Sequence, residues 1–292
     1  MSSSPGFKAI ALLILLALIW GTSFILIKQG LKVFAPQEVA TLRVSAAFLF
    51  LLPVALVRMR QLSRKDFQIV FVSGLLGIFF PAFLFSTAQT QIASSVAGIL
   101  NTLSPIWVMI VGAAFFGQRF TALSIIGTIV GMGGTIMLMM ARSGGNISDI
   151  NYYALLIVAA CALYGANVNW VKFKGHHISP LTLTSTSVML VGPIAMAVLF
   201  GLTDFTWKME NVEGAWTAFG FVVLLGCMST ALATYLFTVL LKISTPLFAS
   251  SVTYLMPLVS VGWGLLAGES LYTGHYIGMI AIIGGVWLAN RK

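Results

Sequence analysis

The chain matches itself. Residues 19–28 read IWGTSFILIK and residues 163–172 read LYGANVNWVK, so Gly21 aligns with Gly165 and Lys28 with Lys172, each glycine preceded by an aromatic residue. The same offset aligns Pro36 with Pro180. After a short slip, Gly74 aligns with Gly226 and Pro105 with Pro257. One residue further along in slippage, Gly127 aligns with Gly278, and Gly133–Gly134 with Gly284–Gly285. Each half carries five long apolar runs. An odd number of crossings ends on the opposite side of a membrane from where it began, so the second half must be inserted upside down relative to the first.

The runs fall near 8–27, 39–57, 69–88, 92–116, 121–140, 152–171, 181–200, 215–241, 246–267 and 273–290. Hydrophobic residues make up 59% of the chain and charged residues 8%, against roughly 25% charged in a soluble domain. Crossing the hydrocarbon core takes about 20 apolar residues in a helix. Lipid satisfies no backbone hydrogen bond, so each run is expected to be helical. A membrane strand would alternate apolar and polar residues, and these runs are continuous. The predicted fold is therefore an all-α integral membrane protein of ten transmembrane helices, in two inverted five-helix repeats over residues 1–143 and 150–292. The spans leave only short connections, such as 203–214, and no room for a soluble domain. The first run follows Lys8 but exceeds a signal-peptide core in length, and its repeat partner is the sixth run, so it is read as a retained span. Inverted repeats of this kind are the sequence signature of secondary transporters.

The net charge of +9 is explained by its distribution. With a cytoplasmic N-terminus, the inner side carries Lys8, Arg58, Arg60, Arg64, Lys65, Arg119, Lys172, Lys174, Lys242, Arg291 and Lys292, and the outer side only Lys28, Lys32, Arg142 and Lys208. This positive-inside bias places both termini in the cytoplasm. No basic domain or aromatic platform suggests nucleic acid as a partner. The partners expected are a lipid bilayer and a small-molecule substrate. Cys161 and Cys227 lie within runs without a CxxC neighbour, which reads as small buried residues rather than a disulfide framework. No metal-ligand pattern or cofactor motif is present, so neither is expected.

Polar residues inside spans are costly unless partnered, which makes them candidates for a binding site. Asn101 stands four residues before Pro105. Its repeat counterpart is Thr253, with Tyr254 beside it, four and three residues before Pro257. Trp20 pairs with Tyr164 and Ser23 with Asn167, one helical turn apart on a common face. Phe83 and Thr87 in the third run, and Thr234 and Tyr235 in the eighth, complete the substrate-binding set. Pro105 and Pro257 occupy matching positions of the fourth and ninth runs, where interrupted helices frame a transporter's site. Each is expected to free the carbonyl four residues earlier, on Asn101 and on Thr253. Arg43, about a turn into the second run, is expected to snorkel outward. Gly127-xxx-Gly131, Gly264-xxx-Gly268 and Gly274-xxx-Gly278 permit close helix approach, either within one chain or between copies. The expected assembly is a monomer or weak homodimer. No Asp or Glu lies deep in a run, and Glu38, Glu269 and His275 sit at outer ends. Flux driven by a substrate gradient is therefore expected to persist without a pH gradient. An embedded enzyme would need HExxH, GxSxG or an in-span carboxylate, and none is present; a channel remains the other alternative.

The WG-x6-K element at Trp20–Lys28, the following Pro36 and Arg43, the mid-span Pro105, and the Pro257 run ending in Gly268-Glu269 together resemble the EamA-type carriers of the drug/metabolite transporter superfamily. The resemblance covers nearly the whole chain. It implies a bacterial inner-membrane exporter of amino acids, aromatic or otherwise neutral, or of related metabolites, working by alternating access. Ser187 departs from the pattern where Arg43 has its repeat counterpart, and Gly117-Gln118 stands opposite Gly268-Glu269. Ala9–Ile27 lacks the first-span glutamate on which the small multidrug-resistance relatives depend, which argues against proton-coupled export of cationic drugs.

Overall fold

The computed structural model describes residues 6–92, 94–142, 152–266 and 273–291. All regular structure among them is helical. In chain order the elements are α1 (Phe7–Gly30), α2 (Pro36–Arg58), α3 (Arg64–Gln91), α4 (Ser94–Asn101 and Ser104–Phe116), α5 (Ala122–Arg142), α6 (Ala154–Phe173), α7 (Pro180–Gly201), α8 (Ala215–Ile243), α9 (Pro246–Ser250 and Val252–Leu266) and α10 (Thr273–Ala289). A short helix, Phe205–Asn211, joins α7 to α8. Seven of these elements are long and apolar enough to cross a bilayer, and α5, α9 and α10 contribute shorter apolar helices. Gly268 and Glu269 lie outside the described residues, as does the side chain of His275.

Local sequence sets the helix ends. Pro36, Pro180 and Pro246 open their helices in the first turn, where the missing N–H is no loss. The Ser179 hydroxyl accepts from the Thr182 N–H at 3.2 Å, and Thr245 from the Phe248 N–H at 3.1 Å. Ser63 and Asp66 form a reciprocal capping box at the start of α3. Gly117, at φ 63°, closes α4 in the left-handed conformation.

Two helices are interrupted. In α4 the chain leaves the helix between Asn101 and Ser104, and Pro105 sits in the first turn of the second piece. The freed Asn101 carbonyl does accept a substitute donor, the Ser104 hydroxyl at 2.8 Å. The break in α9 falls at Ser251. Pro257 lies well past it, inside the continuous helix Val252–Leu266, which corrects the expectation that Pro257 marks the interruption. Here the Ser251 N–H and hydroxyl both turn back to the Leu247 carbonyl, which closes the short first piece. A further irregularity has no proline in its core: α3 widens to π-helix at Leu75–Phe79 and α8 at Leu225–Leu232.

The helices pack in exchangeable pairs. α1 lies on α9 as α6 lies on α4; α3 lies on α7 as α8 lies on α2; α1 meets α8 as α6 meets α3. α2 pairs with α7 and α5 with α10. Moving each helix five places along the chain maps this set onto itself. The glycines explain two of the contacts. A methyl group on Gly74 would stand 2.7 Å from the Ser187 carbonyl oxygen, and one on Gly226 would stand 2.5 Å from that of Arg43. The α5–α10 seam is closer still: a methyl on Gly285 would run into the Gly131 backbone nitrogen, and one on Gly127 into that of Ala289. The Gly127-xxx-Gly131 stripe is thus used within the chain. Outward faces carry large apolar side chains such as Leu18, Phe50, Ile129 and Ile280, as a lipid-facing surface requires.

Candidate functional site

The interrupted and π-helical segments surround one cavity of about 130 Å³. α1 contributes Trp20, Ser23 and Phe24; α2 contributes Arg43; α3 contributes Gly77 and Phe85; α4 contributes Asn101 and Ser104; α6 contributes Tyr164 and Asn167. The remaining wall comes from Ser229, Thr230, Thr234 and Phe237 on α8 and Ser250, Thr253 and Met256 on α9. Leu16, Val108, Val168, Leu240 and Val252 belong to one apolar core, of which Val108, Val168 and Val252 also line the cavity.

Irregular backbone puts polar groups at this depth. The π turn of α8 presents the Ser229 carbonyl to the Trp20 indole N–H at 3.0 Å, and the Ser23 and Ser229 hydroxyls lie 2.5 Å apart. π turns inside α-helices concentrate at functional sites. Asn101 is buried, and its amide nitrogen faces the Met256 sulfur at 3.6 Å, a weak acceptor. Its amide oxygen accepts a long bond of 3.3 Å from the Ser104 hydroxyl and a weak one of 3.9 Å from the Cys161 thiol. The Asn167 amide oxygen is buried with no hydrogen-bond partner among the described residues. An orphan acceptor on a cavity wall is a place for a ligand's N–H or a water. Aromatic faces complete the lining: Phe85 stacks on Tyr164 with centroids 6.1 Å apart, and Trp20 tilts against Phe237 at 5.3 Å.

The structure brings Trp20, Ser23, Asn101, Tyr164, Asn167, Thr234 and Thr253 together around this space. Four other sequence candidates stand elsewhere. Phe83 packs on Phe79, centroids 5.0 Å apart, in the core between α2, α3 and α7. Thr87 sits near the end of α3, where its carbonyl takes the Thr90 hydroxyl. Tyr235 follows the lining residue Thr234, and one residue along a helix turns the side chain about 100° away. Tyr254 is 0% exposed. Its hydroxyl donates to the Thr128 carbonyl at 3.2 Å and its ring lies over Gly131, so it fills the seam between α9 and α5. Pro105 and Pro257 are buried beside the wall without lining it.

Arg43 overturns the sequence expectation. It lines the cavity instead of snorkelling outward, and its Nε donates to the Thr230 hydroxyl at 3.1 Å. The signal was available as the one basic residue left within a run. Its direction depends on the α2–α8 contact at Gly226, which no local pattern reveals. Ser229 and Thr230 were missed because the π turn that exposes them has no sequence mark beyond Gly226.

A smaller cavity of about 20 Å³ adjoins the first and shares Ile78, Asn167, Val168, Thr234 and Phe237 with it. Ser73, Thr184, Ser187 and Thr238 line its far side. Beyond, the helix ends are tied together. Lys172 at the end of α6 donates to the carbonyls of Leu241 and Ser244, at 2.7 and 2.6 Å. Lys242 at the end of α8 reciprocates toward the loop after α6, donating to His176 and Ile178 carbonyls at 2.5 Å. Cations at helix C-termini are favourable partners for the unpaired carbonyls. On the same side His177 meets Asp66 at 2.6 Å. At the opposite end Lys208 pairs with the buried Glu38, also at 2.6 Å.

Comparison with known proteins places this geometry. The model of the EamA-like transporter family matches the chain twice, over residues 7–140 and 151–291. An uncharacterized transporter of Archaeoglobus fulgidus is 27% identical over 276 residues, covering 94% of this chain and 95% of the relative. The uncharacterized inner membrane transporter YedA of Escherichia coli is 25% identical over 286 residues, 94% of this chain and 88% of its own length. A probable amino-acid metabolite efflux pump of Salmonella typhimurium is 24% identical over 297 residues, 99% and 95% of the two chains. One solved crystal structure shares the fold with a TM-score of 0.73 at 18% identity, covering 96% of both chains.

Proposed function

This chain belongs to the EamA-like transporter family, and on that premise we propose that it is a secondary transporter exporting small amphipathic metabolites, amino acids foremost, across a bacterial inner membrane. The observation that carries this reading is the cavity where two interrupted helices, α4 and α9, and two π-helical segments meet. Broken helices at the junction of two repeats are how transporters place polar groups at mid-membrane. The exchangeable helix pairing and the twofold match of the family model support a ten-span inverted repeat, with units at 1–143 and 150–292. The positive-inside bias supports cytoplasmic termini.

Size and lining agree with this cargo. A space of about 130 Å³ is about four times the ~30 Å³ that a water takes in the liquid, the scale of a small free amino acid. Aromatic walls and uncharged polar groups suit a small amphipathic solute. The amino-acid class also draws support from the Salmonella relative, named a probable amino-acid metabolite efflux pump. In this reading the repeats rock about the cavity, and the lysine clasp at α6 and α8 is one of the gates that opens. The internal use of the Gly127 stripe favours a monomer over a tight dimer. Purified protein in liposomes, given a panel of labelled amino acids, is expected to show saturable flux with trans-stimulation that persists when the pH gradient is collapsed. Flux linear in concentration without trans-stimulation indicates a channel, and no flux of any panel member overturns the reading.

A further inference from the structure

We propose that Arg43 is the residue that recognises cargo, and that it selects solutes bearing a carboxylate; the proposal rests on reading the central cavity as the solute site. Three observations carry it. First, Arg43 is half-buried and faces the cavity, and among the described residues no Asp or Glu lines that space. A guanidinium held within a membrane bundle is costly unless an anion or a polar partner compensates it. Its one hydrogen bond among the described residues, to Thr230, occupies Nε. Arginine carries five N–H donors in a planar fork, and the fork's other edge is left to the cavity.

Second, the scaffold does not need this cation. Arg43 and Ser187 are repeat counterparts in the paired helices α2 and α7, and each offers its carbonyl to a glycine of the opposing half, Gly226 and Gly74. The two backbones therefore make the same contact. In α7 the position carries a serine whose hydroxyl donates to the Val70 carbonyl at 2.8 Å. An uncharged residue is sufficient for the packing, so the arginine breaks the symmetry for another purpose.

Third, the partner groups match a carboxylate-bearing solute. A carboxylate accepts two parallel N–H bonds from a guanidinium. The orphan Asn167 oxygen on the same cavity can accept from an ammonium or amide N–H of the solute. Tyr164 and Trp20 offer apolar faces to the remainder. One guanidinium balances one negative charge. A phosphate ester, carrying nearly two, would remain undercompensated.

The test uses the full-length protein purified in detergent and in liposomes, with L-phenylalanine, 3-phenylpropionate and L-phenylalaninamide as probes. Binding is read from quenching of intrinsic tryptophan fluorescence, and transport from counterflow. Both acids are expected to bind, and the amide about 10- to 100-fold more weakly, as expected for loss of charge-assisted hydrogen bonds. In Arg43→Gln the ratio of acid to amide affinity should fall to near one, while Arg43→Lys keeps the preference for acids at reduced affinity. If Arg43→Gln does not fold, as judged by its thermal transition, the wild-type ratio and the lysine variant decide. Equal binding of acid and amide by the wild type overturns the proposal, as does an unchanged ratio in folded Arg43→Gln. So does failure of both acids to bind at millimolar concentration. Acid-selective binding without counterflow of any probe leaves the assignment of Arg43 standing and removes the transport reading instead.

Discussion

Replacing Asn101 and Tyr254, which the repeat places at matching depth, should give opposite phenotypes. Tyr254 is fully buried between α9 and α5, with one hydrogen bond to the Thr128 carbonyl at 3.2 Å. Removing the hydroxyl in Tyr254→Phe should cost about 0.6 kcal/mol and at most about 1.7, the range for interhelical hydrogen bonds in membranes. Tyr254→Ala empties a buried aromatic site and should cost about 3–5 kcal/mol. Neither touches the cavity, so solute affinity of the folded fraction should be unchanged. Asn101 presents the reverse case. Its amide holds weak partners: a 3.6 Å contact to the Met256 sulfur, a 3.9 Å bond from the Cys161 thiol and a 3.3 Å bond from Ser104, which keeps its stronger 2.8 Å bond to the Asn101 carbonyl in any case. Asn101→Ala should therefore lower stability by less than about 1 kcal/mol, yet weaken solute binding about 3- to 10-fold through loss of one neutral hydrogen bond. Unfolding of purified protein in micelles, followed by tryptophan fluorescence, gives the first quantity, and saturation of counterflow in liposomes gives the second. Loss of affinity in Tyr254→Phe at wild-type stability, or a destabilised Asn101→Ala with wild-type affinity, would refute this division of roles.

Other perturbations follow from the same geometry. Gly285→Ala drives a methyl group to 2.6 Å from the Gly131 Cα and should destabilise by about 1–3 kcal/mol through overpacking; a wild-type thermal midpoint would show the seam to be looser than described. Replacing both Lys172 and Lys242 by Ala removes the reciprocal ties between the ends of α6 and α8. A cysteine at Thr238 should then be labelled faster from that side, and an unchanged rate would mean the clasp is not a gate. Cysteines at Val212 and Ser63 should be labelled from opposite sides of the membrane in intact cells, the first from outside. Labelling of Ser63→Cys by an impermeant reagent would invert the orientation.

Much of the architecture was legible in one dimension because membrane helices obey local rules. Apolar run length gave the helices. Self-alignment paired Gly74 with Gly226, and the structure shows these two glycines in matched contacts against Ser187 and Arg43. The break in α4 was visible through Pro105, since a proline removes a backbone donor wherever it stands. Azimuth was not legible. Tyr254 and Thr253 are adjacent in sequence, yet one fills the α5–α9 seam and the other lines the cavity, because successive residues on a helix point about 100° apart and only the packing of neighbours decides which direction is the cavity. The interruption of α9 at Ser251, where the chain turns back on the Leu247 carbonyl, and the π turn of α8 have no mark in the apolar-run pattern. The inward aim of Arg43 has none either. A charge within an apolar run is plain from the sequence alone, but whether it faces lipid, a partner or an internal space is settled by the helix packed against it, here α8 with Thr230 at hydrogen-bonding distance.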